Sequence, residues 1–134
     1  VDIDRMEQVV SNLISNAIKY SPQGGEIHVS VEYVEDPQYL PSRTPAYTIT
    51  PCIVVKVVDQ GNGLSQKHVD DIFLPFYRTK NAKKQKIEGT GLGLAISHSI
   101  VELHRGQIWA RPASRKHPGG QFFVAIPLLD LENK

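Results

Sequence analysis

The segment Asn12-Leu13-Ile14-Ser15-Asn16-Ala17-Ile18-Lys19-Tyr20-Ser21 carries an apolar helical stripe and a polar one side by side. At about 100° per residue, Asn12, Asn16, Lys19 and Tyr20 fall within roughly a third of the helix circumference. Met6, Val10, Leu13, Ile14 and Ala17 fill the neighbouring face. Asparagine is a mediocre helix former, because its amide competes with the backbone for hydrogen bonds. Two asparagines one turn apart beside an apolar face suggest a polar task at the edge of a core. Taken alone, the segment fits a solvated helix face equally well.

This helix is expected from about Asp4 to Tyr20, with Asp2 or Asp4 as its N-cap. Ser21-Pro22-Gln23-Gly24-Gly25 stops it. From Glu26 to Tyr33, the residues Ile27, Val29, Val31 and Tyr33 alternate with His28, Ser30 and Glu32, which predicts a half-buried strand. Residues 35–51 hold Pro37, Pro41, Pro45 and Pro51 and few periodic apolar positions, so a long extended loop is expected, the least ordered internal region. Ile53 to Val58 is a near-continuous apolar run and reads as a buried strand. Ser65 caps a short helix through about Phe73. Gly89 to Gly93 feeds a helix from about Leu92 to His104, ended by Gly106. Gln107–Arg111 and Gln121–Pro127 read as two strands joined by a turn with His117-Pro118-Gly119-Gly120. Paired strands with helices between them predict an α/β sandwich of two layers, a mixed, mostly antiparallel sheet with helices on one face.

Composition narrows the class. The 134 residues, with a net charge of +1, suit one domain burying about two thirds of its unfolded surface. That charge gives no global nucleic-acid signal. The single cysteine, Cys52, excludes an internal disulfide, fits a reducing compartment and reads as structural. No apolar stretch approaches the roughly 20 residues that span a bilayer, and no signal peptide is visible. The chain opens almost inside a helix, which suggests a single domain taken from a longer protein.

Three further motifs carry chemistry. Asp59-Gln60-Gly61-Asn62-Gly63 leaves the buried strand with a carboxylate at its tip, and Gly61 and Gly63 permit positive φ and close approach of a ligand. An ionised Asp there can accept from an exocyclic amine, although such sequences also form simple turns. Gly89-Thr90-Gly91-Leu92-Gly93-Leu94 opens a helix whose free N–H groups and positive dipole end can hold a phosphate. It lacks both the P-loop spacing and the preceding strand of a dinucleotide fingerprint. Between them lies Ile72-Phe73-Leu74-Pro75-Phe76-Tyr77-Arg78, followed by Lys80, Lys83, Lys84 and Lys86. The basic part can face phosphates, bind nucleic acid or simply be solvated.

Together and in this order, the motifs resemble the ATP-binding catalytic domain of sensor histidine kinases. Asn12 to Ser21 looks like that family's N box, Asp59 to Gly63 its first glycine box, Phe73-Leu-Pro-Phe76-Tyr-Arg78 its F box, and Gly89 to Leu94 its second glycine box. The resemblance covers nearly the whole chain. It implies the Bergerat-type α/β sandwich, with ATP held beside a flexible lid from about Phe73 to Gly91. Gln60 and Asn62 depart from the family's more frequent residues but leave Asp59 and both glycines intact. The 35–51 loop looks longer than usual.

The resemblance also implies roles. Asn16 matches the Mg²⁺ ligand, a neutral hard donor, with Asn12 assisting around the metal and the γ-phosphate. Lys19 contacts phosphate, and Tyr20 packs near the adenine or ribose. Asp59 accepts from the adenine amino group, while Gly61 and Gly63 admit the purine. Phe73, Tyr77 and Arg78 belong to the lid, with Arg78 reaching toward phosphate. Gly89, Thr90, Gly91, Leu92, Gly93 and Leu94 close over the triphosphate. Hydrolysing relatives carry a glutamate at the position of Asn12; an amide cannot serve as that base, which favours transfer over hydrolysis. None of His28, His68, His98, His104 and His117 has the setting of a phosphoacceptor. The acceptor histidine is therefore expected on a separate dimerisation domain of the same protein, with a response regulator as the next partner. The resemblance places the domain in the cytoplasm, the parent possessing a membrane anchor in many members and dimerising at full length. No nucleic-acid or direct membrane contact is expected. A protein-serine kinase of the anti-sigma type and a nucleotide-binding pseudokinase are the alternatives.

Overall fold

The computed structural model describes residues 2–20, 25–61, 63–69, 71–74 and 93–128, the side chain of Tyr20 excepted. Helix α1 spans Ile3–Tyr20. Asp2 is the N-cap, since its Oδ1 accepts from the Arg5 N–H at 3.1 Å and its carbonyl accepts from Met6 N–H at 3.0 Å. Asp4 instead lies in the first turn and Lys19 in the last, where each complements the helix dipole. Strands β1 (His28–Val34), β2 (Cys52–Val58), β3 (Gln107–Arg111) and β4 (Gln121–Pro127) follow, with helix α2 (Gly93–Leu103) before β3. The sheet order is β1-β2-β4-β3, and every described pairing is antiparallel. The expected two-layer sandwich is present.

The α1 stripe explains the main core. Val9, Leu13 and Ala17 recur every turn and are fully buried, against Val57, Ile100, Val101, Ile108, Val124 and Ile126. Val9 belongs to this stripe although the sequence reading passed over it; Val10 is only half-buried. Each such valine, leucine or isoleucine contributes about 1.5–3 kcal/mol by leaving water.

Strand β1 departs from its expected pattern. Val29, Val31 and Tyr33 are exposed, Val31 at 68%, and Val34 is the buried residue. The register places Val29, Val31 and Tyr33 opposite Val57, Val55 and Ile53, so they do lie on the helix-side face. They stay in solvent because β1 is an edge strand and α1 packs chiefly on α2 and β2.

The opposite face has its own small core of Val34, Cys52, Val54, Trp109, Phe123 and Ala125, with Leu40 packed on it. The 35–51 segment therefore covers the sheet, and its prolines sit in hydrogen-bonded turns. Asp36 caps a 3-10 helix at Pro37–Tyr39, and the Pro41 and Pro45 carbonyls accept from Thr44 and Thr48 N–H at 3.2 and 3.1 Å. Arg111 pins the segment by donating from Nε to the Ser42 carbonyl at 3.3 Å, while its guanidinium lies 4.7 Å from the Phe123 ring centre. Burial, and then the Arg43 charge, draw the Arg111 pKa below its usual value. Burial pushes the Cys52 thiol up, so a neutral thiol fills this core, as its structural reading requires.

Two expected helix boundaries change. The Ser65–Phe73 helix is a turn at 66–69 followed by a 3-10 helix, Asp71–Phe73. Helix α2 ends in a 6→1, 5→2 motif: Gly106 N–H donates to Val101 O at 3.0 Å and Arg105 N–H to Glu102 O at 2.9 Å. The residue with positive φ is Arg105, at 60°, not Gly106. Gly106 is needed because a Cβ there would strike the Ala125 carbonyl. Arg105→Gly should therefore stabilise the chain by about 0.5–1 kcal/mol, the αL strain of a non-glycine residue less the entropy of a new glycine. Gly106→Ala should destabilise it, and denaturant unfolding of the two variants measures both effects.

Candidate functional site

Strand β2 delivers Asp59 to the end of the sheet. The residue is only 6% exposed. Its Oδ1 accepts from Gly61 N–H at 2.7 Å and from Gly120 N–H at 2.9 Å, and its own N–H donates to Gly120 O at 3.0 Å. Two backbone donors on one oxygen satisfy the cost of burying a carboxylate there. Both of these bonds use Oδ1, and no described hydrogen bond uses Oδ2. A Cβ at Gly120 would stand 2.6 Å from that Oδ2.

The remaining glycines of this loop serve packing. Gly63 has φ +69°, and a Cβ there would come 2.7 Å from Ala113 Cβ and 3.1 Å from Gly119 O. A Cβ at Gly119 would strike the Asp59 carbonyl. The β3–β4 connection thus folds directly onto the Asp59 loop, with Ala113 N–H donating to Leu64 O at 2.6 Å. Gln60 fastens the loop on its other side, its Oε1 accepting from Glu26 N–H at 3.1 Å. Gly119 and Gly120, read from the sequence as part of a turn, are the residues that let the β3–β4 connection pack against Asp59. Their signal was the doubled glycine immediately before a strand.

The second group joins the two helices. Asn12 is half-buried; its Nδ2 donates to Gly93 O at 3.4 Å and to Ser97 Oγ at 3.2 Å. A backbone carbonyl only accepts, so the amide orientation follows from chemistry: the NH₂ end faces α2 and the carbonyl end faces away from it. Ser97 is fully buried and was not singled out in the sequence. Asn16, one turn on, is half-buried, and Lys19 is exposed. Gly93 begins α2, and a Cβ there would meet nothing within 4 Å among the described residues. Leu94 packs against the main core, as does Phe73. The Phe73 ring lies 5.8 Å from that of His98, which also pairs with Glu102 at 3.3 Å. Tyr77, Arg78, Gly89, Thr90, Gly91 and Leu92, with the Tyr20 side chain, lie outside the described residues.

His104 ties the helices together at the other end. Its Nδ1 bonds the Ile100 carbonyl at 2.8 Å, and its Nε2 accepts from Asp2 N–H at 3.1 Å. His28 meets Glu26 at 3.0 Å on the surface.

A family model described as histidine kinase-, DNA gyrase B- and HSP90-like ATPase matches residues 1–131. The chain belongs to this ATPase family. Membership implies an ATP site. Among relatives of this ATPase chain, the sensor histidine kinase WalK of Bacillus subtilis (strain 168) is 40% identical over 110 residues, 82% of this chain and 16% of the relative. The sensor protein kinase WalK of Staphylococcus aureus is 39% identical over 132 residues, 98% of this chain and 28% of the relative. The chain thus spans less than a third of these relatives. Among solved structures, the catalytic domain of histidine kinase ThkA superposes with a TM-score of 0.67 at 31% identity, covering 95% of this chain and 68% of that one. The mycobacterial sensor histidine kinase MprB gives 0.72 at 28% identity, covering 94% and 74%. The fold of the ATPase chain is that of histidine kinase catalytic domains. Among its described residues, no helix is long and apolar enough to cross a membrane.

The Asp59 geometry separates folding from binding. Asp59→Ala removes the shared acceptor of two N–H groups and should cost about 1–3 kcal/mol for each donor left buried and unpaired. Asp59→Asn keeps an Oδ1 acceptor and should cost clearly less. Urea unfolding of the two variants checks the order.

Proposed function

We propose that this chain is the ATP-binding catalytic domain of a sensor histidine kinase. It binds Mg²⁺-ATP and donates the γ-phosphate to a histidine on a dimerisation domain of the same protein, which passes it to an aspartate of a response regulator. The observation that carries the reading is the buried Asp59, whose Oδ1 is occupied by Gly61 and Gly120 and whose Oδ2 is available as an acceptor. A buried acceptor of fixed direction selects a base with an exocyclic amine, because the wrong partner leaves it unpaired. The similarity to the WalK, ThkA and MprB kinases supports the assignment of the chemistry.

The donor chemistry around α1 fits magnesium. Mg²⁺ takes hard oxygen ligands and retains several waters and phosphate oxygens, so one or two neutral amide oxygens on a helix suffice from the protein. Asn16 supplies the ligand and Asn12 supports it with the carbonyl turned away from α2. Lys19, exposed at the end of α1, offers a phosphate a point charge. Among the described residues a Cβ at Gly93 would meet nothing within 4 Å, and the first turn of a helix offers a phosphate its N–H groups. Bound Mg²⁺ neutralises charge on the transferring phosphoryl group. Asn12 cannot take a proton from water at neutral pH, so the residues of α1 hold the nucleotide without promoting its hydrolysis.

Titration with ATP, with and without Mg²⁺, tests the site. The folded wild-type chain should bind nucleotide, Asp59→Asn should weaken binding about 10- to 100-fold, and Asn16→Ala should lose most of the gain from Mg²⁺. Failure of the folded wild type to bind would overturn the reading. Labelled ATP should leave no phosphate on the chain alone. With a dimerisation domain of the same protein added, the labelled product should be acid-labile, as phosphohistidine is; an acid-stable product would instead mark a serine kinase.

A further inference from the structure

We propose that Ser97 is a positioning residue for Asn12: with the Gly93 carbonyl, its hydroxyl fixes the amide so that the carbonyl end faces the Mg²⁺-ATP site. The inference rests on the nucleotide-binding reading above and adds to it a residue that acts through another. Ser97 is fully buried, in a helix whose neighbouring buried positions are Ile100 and Val101. A hydroxyl in such a place is costly unless it is hydrogen-bonded. Its described side-chain partner is the Asn12 amide, at 3.2 Å. Gly93 and Ser97 are one turn apart, so both acceptors lie on one stripe of α2, opposite one residue of α1. Two acceptors on the same stripe hold the NH₂ end of the amide and oppose its rotation.

The consequence concerns charge. An asparagine free to rotate must be ordered before its oxygen can serve a cation, because its NH₂ end repels one. Holding the NH₂ end against α2 leaves the oxygen end to the metal and its waters. Groups that orient a metal's surroundings in this way typically change metal affinity when removed. The same pair of bonds makes the amide direction depend on the first turn of α2, which begins with Gly93 and Leu94, the last two residues of the second glycine box.

The 134-residue chain tests this through the ratio of ATP affinities with and without Mg²⁺. Ser97→Ala and Ser97→Cys bracket the serine in volume, and both lack the oxygen acceptor. Both should lower the Mg²⁺-dependent gain about three- to tenfold while leaving affinity in EDTA unchanged. In an Asn12→Ala background neither should lower the gain further. Melting of the nucleotide-free chain identifies variants that remain folded; where one does not, the other supplies the reading. An unchanged gain in a folded variant, an equal loss in the Asn12→Ala background, or full retention by Ser97→Cys alone would overturn the inference, the last because volume rather than the hydroxyl would then be responsible. These results presuppose a wild type that binds Mg²⁺-ATP. A folded wild type that binds none overturns the functional reading, and the inference with it, by a different observation.

Discussion

The candidate site depends on one buried carboxylate oxygen. Asp59 Oδ1 draws the backbone of the β3–β4 connection and the loop after β2 to a common point, through Gly120 and Gly61 N–H. This is possible only where side chains are absent, since a Cβ at Gly119 or Gly120 would collide with Asp59 itself. Distant parts of the sequence thereby become one wall, and its remaining oxygen has a fixed direction. Pre-organisation of this kind confers selectivity because the acceptor does not have to be ordered when a ligand arrives.

The second polar group of the candidate site lies between two helices. The apolar stripe of α1 sets its distance from the sheet, and the amide of Asn12 sets its relation to α2. At the far end, His104 joins α2 to the first residue before α1. Polar links at both ends of a packed helix pair restrict sliding, which apolar contacts alone resist weakly because they lack direction.

Much of this was legible in the sequence. The bounds of α1, β3 and β4 follow from periodicity and from strong turn residues, and β2 from an unbroken apolar run. Asp59, Asn12 and Asn16 stood out in the sequence as polar residues beside apolar runs, a pattern that fits a site, a turn or a solvated face alike. What failed depended on neighbours. The alternation of Val29, Val31 and Tyr33 gives the correct face of β1 but not its exposure, since exposure depends on how far α1 extends across the sheet. The proline-rich segment looked unstructured because proline removes periodic signals, although proline also shapes the turns that let Leu40 reach the second core. Gly106 carried the signal of a helix terminator, yet Arg105 took the left-handed conformation and the glycine met a steric demand from β4. Ser97 gave no signal, because a small polar residue in an apolar helix reveals its partner only in three dimensions.

The pairing of β2 with β4 has a separate consequence for how such a chain is built and varied. Val58 meets Gln121, and Cys52 meets Pro127, so the centre of the sheet forms only when the two sides of a long intervening segment come together. Contacts this remote slow folding, because the closure entropy comes before the reward. Once the pair exists, that entropy grows only with the logarithm of the enclosed length, and doubling the segment costs roughly 0.6 kcal/mol more. Length changes confined to the connecting loops between the two central strands are therefore thermodynamically cheap, whereas α2 and β3 are held by the core and by β4. Such loops can be lengthened or rewritten while the sheet keeps its register.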